Sequence, residues 1–183
     1  MLALALTLLA LGPAAGSSGK VFLTLEEALA LAFPECRIER ATEYLSEAEE
    51  TRVEELARGE LPGRVVRPYR AYKGDVLVGT AYFDAHRVRT KNEVLMLVVG
   101  LDQRLKRVEV LAFAEPLEYL PKASFYAQYA GRRLDDQLEL QRGVRGVSGA
   151  TLSAASATAA ARRALALHQI LAERARTGGV VAR

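Results

Sequence analysis

The chain has one cysteine, Cys36, and two histidines, His86 and His168. A lone thiol has no partner for an intrachain disulfide, and no Cys/His spacing of a structural zinc site is present. Cys36 reads as a small half-buried residue. Charge of one sign is also scarce. Lys and Arg number 25 against 22 Asp and Glu, giving a formal net charge of +3 and a pI near 9.1. The basic residues are scattered, which excludes the concentrated positive patch of a nucleic-acid binder. No internal repeat is visible. After the first residues, no apolar segment approaches the ~20 residues of a bilayer span. What remains is ordinary globular composition over 183 residues, half hydrophobic and about a quarter charged. That suits one domain with a real core.

Met1 to Leu11 form an apolar run, and Gly12-Pro13-Ala14-Ala15-Gly16 follow with small residues. Residues 1–16 therefore read as a secretory signal peptide, although no Lys or Arg precedes the run. The expected product is extracytoplasmic, periplasmic or cell-surface, beginning near Ala15 to Ser17 or tethered by an uncleaved run. The functional domain is expected over 17–176, with a frayed tail over 177–183.

Two capping boxes open helices. Thr24-Leu25-Glu26-Glu27 precedes an apolar period that Pro34 ends. Ser46-Glu47-Ala48-Glu49 opens an acidic helix through Val53 and Leu56, with Gly59 as its stop. From Arg64 the period changes to two. Val65–Tyr72, Val76–Phe83, Glu93–Leu101 and Leu105–Phe113 read as strands, joined by short connections that favour antiparallel pairing. Val94–Val99 is apolar on both faces, as a covered central strand requires. In the last strand Leu105, Arg107, Glu109 and Leu111 alternate with Val108, Val110 and Ala112. Gly79 inside a strand marks a bulge or a close approach, by a helix or by a ligand ring. Arg87, Arg89 and Lys91 would make one basic edge if their segment is extended. After Pro121 a short helix carries Phe125, Tyr126 and Tyr129, either core aromatics or the border of a ring system. The expected fold class is α+β: an antiparallel sheet of about four to six strands, N-terminal helices, and a long C-terminal alanine-rich helix packed on it. In that helix Arg162 and Arg163 are expected to begin the polar half.

The stretch Gly146-Val147-Ser148-Gly149-Ala150-Thr151-Leu152-Ser153 leads into the alanine-rich run. A small-residue loop opening a helix offers free amides to an anion. Gly149 and Ala150 would leave room for a bulky ligand. A Walker-type loop is a poor fit, because no Lys follows the final Gly. Ser148, Thr151 or Ser153 could equally cap the helix without any ligand.

Ser-Gly-Ala-Thr before a small-residue helix resembles the FMN-binding domain family. That family includes the flavin-bearing subunits of Na+-pumping NADH:quinone oxidoreductase and of Rnf-type complexes. Phe113-Ala114-Glu115-Pro116-Leu117-Glu118-Tyr119-Leu120-Pro121, His86 to Glu93 and Phe125 to Tyr129 are similar to its small secreted branch. The likeness covers roughly Val21 to Leu171.

The resemblance implies covalent FMN, joined by a phosphoester to Thr151 by a flavin transferase that uses FAD and Mg2+. Ser148, Gly149, Ala150, Leu152 and Ser153 would surround the phosphate. His86, Thr90, Glu93, Glu115 and Tyr119 would lie near one another as contacts for the ring, with Glu115 either meeting the ring or fixing a turn. The implied activity is electron carriage to a membrane or periplasmic redox partner, rather than turnover of a substrate of its own. Arg145 departs from the family, which usually has Asp three positions before the motif's Ser/Thr. Two other readings stand beside it. One is a cofactor-free binding or sensory module. The other is an oxidoreductase with noncovalent FMN and His86 as proton donor.

Overall fold

The computed structural model describes residues 19–178. The expected signal peptide and the last five residues of the expected tail, 179–183, lie outside the described residues. The fold is α+β. Its strands are β1 (Lys20–Val21), β2 (Arg37–Arg40), β3 (Glu43–Tyr44), β4 (Val65–Val66), β5 (Tyr69–Lys73), β6 (Val76–Arg87), β7 (Asn92–Gly100) and β8 (Leu105–Phe113). Its helices are α1 (Leu25–Ala32), α2 (Glu47–Ala57), α3 (Ala123–Tyr126) and α4 (Thr151–Gly178). The sheet runs β1-β8-β7-β6-β5-β2 with antiparallel neighbours, and β3 pairs with β4 separately.

Both capping boxes form. Thr24 accepts from Glu27 N and Ser46 from Glu49 N, while each glutamate returns to its cap's backbone N–H. The left-handed residue ending α2 is Arg58, at φ 58°, one position before the expected Gly59. The acidic face of α2 is partly covered. Arg174 of α4 donates to Glu49 at 2.8 and 2.7 Å, and these bonds hold the Glu49 carboxyl down at about 2.

Strand β7 divides two cores. Leu95, Leu97 and Val99 face α2, α3 and α4, whereas Met96 and Val98 face α1. A register shift between Val98 and Val99 turns Leu105 onto the face of Val108. The simple alternation expected for β8 therefore fails at Leu105, and a second shift, between Val94 and Leu95, breaks it again, so that Ala112 pairs with Val94 and leaves the face of Val108 and Val110. Gly79 adjoins a further irregularity, in the β5–β6 pair, and a side chain there would meet the Phe33 ring at 3.0 Å. Its smallness serves the residue that ends α1.

The expected polar half of α4 is corrected by its arginines. Arg162 is 8% exposed. It donates to Leu56 O (2.8 Å), Ala57 O (3.1 Å), Asp135 O (2.9 Å) and Leu138 O (3.2 Å). A fixed guanidinium fork thus closes the carbonyl end of α2 and the 135–138 turn at once. Arg163 is half-buried against Asp84. Sequence period alone cannot see such carbonyls, because they converge only in the fold.

Replacing Arg162 by Met keeps volume but leaves those carbonyls unpaired. Unfolding by guanidinium chloride should show a loss of about 2–3 kcal/mol. A change within ~0.5 kcal/mol, the range of ordinary surface substitutions, would contradict this role.

Candidate functional site

The loop before α4 is pinned at both ends. The Gln128 side chain donates to Arg145 O at 3.2 Å and accepts from Arg145 N at 3.0 Å. Ala150, 4% exposed, donates its N–H to Val147 O at 3.2 Å. Between these points Gly146, Ser148 and Gly149 are exposed. Gly149 has φ 81°, and a Cβ built there meets nothing within 4 Å. The backbone conformation asks for glycine here, and the space beside it is open. Ala150 points into the core, so its small side chain serves packing rather than ligand approach.

Thr151, the first residue of α4, is exposed. Its Oγ1 lies 3.5 Å from Val147 O, at the limit of a hydrogen bond. Ser153 is 1% exposed and donates Oγ–H to Tyr119 O at 2.6 Å. Ala154 N donates to Ala150 O at 2.9 Å, which makes Ala150 the cap residue, and alanine has no side-chain acceptor. Among the described residues no side chain caps the first amides of α4. The capping alternative for Ser148, Thr151 and Ser153 is therefore not realised. Leu152 stands 51% exposed next to them.

The segment from His86 to Glu93 is the end of the β6–β7 hairpin, with those two residues directly paired. It is no extended basic edge. Val88 to Lys91 form the turn, closed by Val88 N donating to Lys91 O at 3.0 Å. Glu115 ties this turn down. Its Oε1 accepts from Thr90 N (2.6 Å), Lys91 N (2.8 Å) and Arg89 N (3.2 Å). The Lys91 and Thr90 amides are the main cause holding the Glu115 carboxyl below its ordinary range. Of its two expected roles, the turn-fixing one is visible. The Arg89 guanidinium lies 4.7 Å from the centre of the Tyr119 ring. Tyr119 O in turn holds Ser153. Thr90, Glu115, Tyr119 and Ser153 thus form one contact path from the hairpin tip to the start of α4.

His86 and Glu93 belong to a second, deeper network. Glu93 is fully buried and accepts from Tyr126 OH at 2.8 Å. His86 Nε2 lies 3.1 Å from Glu93 Oε2, and Nδ1 lies 2.8 Å from Asp84 Oδ1. Arg163 donates twice to Asp84, at 2.9 and 2.8 Å. Burial disfavours the imidazolium, but the bonds to Asp84 and Glu93 outweigh it and raise His86 to about 9. Burial likewise opposes the Asp84 charge, yet His86 and Arg163 hold that carboxyl at about 2. With both ring nitrogens engaged, His86 is placed as a structural cation rather than a free proton donor. Phe125, Tyr126 and Tyr129 are core aromatics: they meet edge to face, and Tyr129 OH bonds Thr158 Oγ1 at 2.8 Å.

Sequence reading missed Asp84, and it singled out Arg163 and Tyr126 without placing either in this network. Asp84 had a signal, since it stands two positions before His86 on one strand face. The other two come from distant elements and carried none. A cavity of about 920 Å3 follows the outer edge of β8, and residues 146–153 do not line it. Among the described residues no helix is long and apolar enough to cross a membrane. Comparison of the chain with known protein families, curated proteins and solved structures finds no match in any of the three.

Stability should peak near pH 6.5 and fall on both sides. His86 is raised from 6.5 to about 9, so its contribution is complete below pH 6.5 and is lost as pH rises through 9. His168, bonded to Tyr82 OH, is lowered by burial to about 4, and its contribution is lost as pH falls from 6.5 through 4. The alkaline arm should amount to about 3 kcal/mol. Denaturation from pH 6 to 10 should show that arm in the wild type and a flat profile for His86→Gln. An equal slope in both proteins would disprove the assignment.

Proposed function

We propose that this chain is an extracytoplasmic electron carrier that bears FMN on Thr151. The observation carrying this reading is the start of α4: an exposed threonine hydroxyl beside uncapped amides, approached through an open glycine turn. The first-turn N–H groups suit a phosphate, since they point outward and carry the positive end of the helix dipole. Leu152 and Ser153 would supply those amides, and Ser148 and Gly149 the uncrowded approach. Thr90, Glu115 and Tyr119 would border the ring from the neighbouring turn, with His86 and Glu93 supporting that turn from beneath. FMN supplies one- and two-electron chemistry when bound.

Loading follows the transferase chemistry that the motif's resemblance implies. The Thr151 Oγ–phosphorus bond forms on the riboflavin side of FAD, the phosphoanhydride breaks, AMP leaves, and the hydroxyl proton passes to a base of the transferase. Exposure of Thr151 is the property this reaction needs, because the acceptor must enter another enzyme's active site. Arg145 is exposed and its side chain has no partner among the described residues, so it is free to meet a phosphate or the approaching transferase. The FMN-dependent oxidoreductase draws less support, since His86, the proton donor named for it, is held by two carboxyl groups.

Co-expression with a flavin transferase should give a fluorescent band in a denaturing gel that Thr151→Ala abolishes. Arg145→Asp should raise the labelled fraction severalfold if the transferase prefers acid there. A dark wild-type band together with no binding of added FMN would leave a cofactor-free module as the better account. An equally bright Thr151→Ala band would refute attachment at this residue.

A further inference from the structure

We infer that the cavity under the second half of α4 is a binding site for a small organic carboxylate with an apolar body. The space, of about 330 Å3, lies between the helix and strands β5 and β6, and the β7–β8 turn closes one end. His168 on its wall is roughly 25 Å along the helix from Thr151, at about 1.5 Å per residue. The site is therefore independent of any flavin at Thr151.

Two polar side chains open onto this cavity without a protein partner. Thr80 and Tyr82 lie on the same face of β6, and Arg70, paired with Thr80, shares that face from β5. Thr80 is 4% exposed, and its hydroxyl bonds no described residue. Tyr82 OH lies 3.1 Å from His168 Nδ1. Burial keeps this phenol protonated far above its ordinary range, so it donates to Nδ1 and the imidazole proton sits on Nε2. Nε2 bonds no described residue. Among the described residues no sealed side-chain oxygen or nitrogen lacks a partner, so both atoms face space that solvent reaches. Thr80 and His168 both line the cavity, and that is the space they share. Buried polar groups are ordinarily satisfied within the fold. A hydroxyl and an N–H left open toward one cavity suit the oxygens of a ligand.

Charge and lining narrow the ligand further. Arg70 gives Nη2 to Glu43 at 2.6 Å, which leaves Nε and Nη1 unbonded among the described residues. Glu43 of β3 is shared with Arg174, whose other acid is Glu49. Arg176 of α4 lines the same space, while β6 offers neutral Tyr82 and the β7–β8 turn neutral Gln103. Two acids thus face three guanidinium groups, and a carboxylate would balance the excess. The remaining walls include Leu77, Leu171 and Ala175, and Leu101 stands 61% exposed beside them. A cavity of about 150 Å3 takes benzene, so this one suits a body of about ten non-hydrogen atoms. A bare inorganic anion would leave those apolar walls wet.

Phenylacetate is a probe of this size and charge. NMR of the His168 ring, identified by the signals that His168→Gln removes, should shift saturably with a Kd of about 1 mM or tighter. Saturation should raise the His168 midpoint from about 4 toward 6.5, because a carboxylate beside the ring favours the imidazolium. Phenylacetamide has the same shape without the charge and should bind about tenfold more weakly. Acetate should bind more weakly still. Thr80→Val should melt at or above the wild type, since its hydroxyl holds nothing in the fold, yet lose about threefold or more in affinity. No saturable shift with phenylacetate, or an unmoved His168 midpoint, would overturn the proposal. So would amide or acetate binding as tight as that of phenylacetate, or a Thr80→Val chain that binds as tightly as the wild type.

Discussion

The alanine face of α4 is the constraint from which the rest of the structure follows. Ala154, Ala157, Ala160 and Ala161 are fully buried, and Ala164 is 2% exposed. A helix whose contact side ends at Cβ can lie close against a sheet. Close packing leaves little freedom for sliding, so the position of the helix sets the position of its first residue. Alanine burial is weak per residue, about 0.8 kcal/mol per methyl-sized group. Polar fasteners make up the difference. Arg162 ties α4 to α2 and the 135–138 turn, Arg163 ties it to β6, and Arg174 ties it to the start of α2. Ser153 ties the first turn to Tyr119.

That arrangement separates two polar systems at one end of the sheet. The inner one, Arg163–Asp84–His86–Glu93–Tyr126, runs from half-buried Arg163, Asp84 and His86 to buried Glu93 and Tyr126, with every member bonded. Breaking any link would leave a charge or hydroxyl without a partner in low dielectric, so its order is tightly specified. The outer one consists of the Glu115 cradle, the Arg89–Tyr119 stack and the open start of α4; Glu115 itself is 7% exposed, whereas Arg89 and Thr151 face solvent. The inner network holds the hairpin; the hairpin tip and Glu115 hold Tyr119; Tyr119 holds Ser153. A rigid support beneath an exposed attachment point is what a surface-borne cofactor requires.

Much of the frame was legible in the sequence. Both capping boxes, the change from period 3.6 to period two at Arg64, and the doubly apolar Val94–Val99 each have local causes, and each appears in the fold. Failures arose where a local pattern met a tertiary one. The bulge at Leu105 broke an alternation that assumed constant pleat, and Arg162 sought carbonyls that no periodicity reveals. The stretch from His86 to Glu93 left an extended basic edge open because its residues alternate, yet the turn is set by Glu115, more than twenty residues on. The motif before α4 was visible as a small-residue loop. Its open amides were not, because capping by Ser148 or Ser153 would have read the same.

The central claim is that Thr151 is an attachment point for a riboflavin phosphate. Intact-mass spectrometry of the chain, made beside an active flavin transferase, addresses it most directly. The account predicts a gain equal to one FMN less one water, retained on the peptide that contains Thr151. The bare polypeptide mass, or the same gain mapped to another residue, would contradict it.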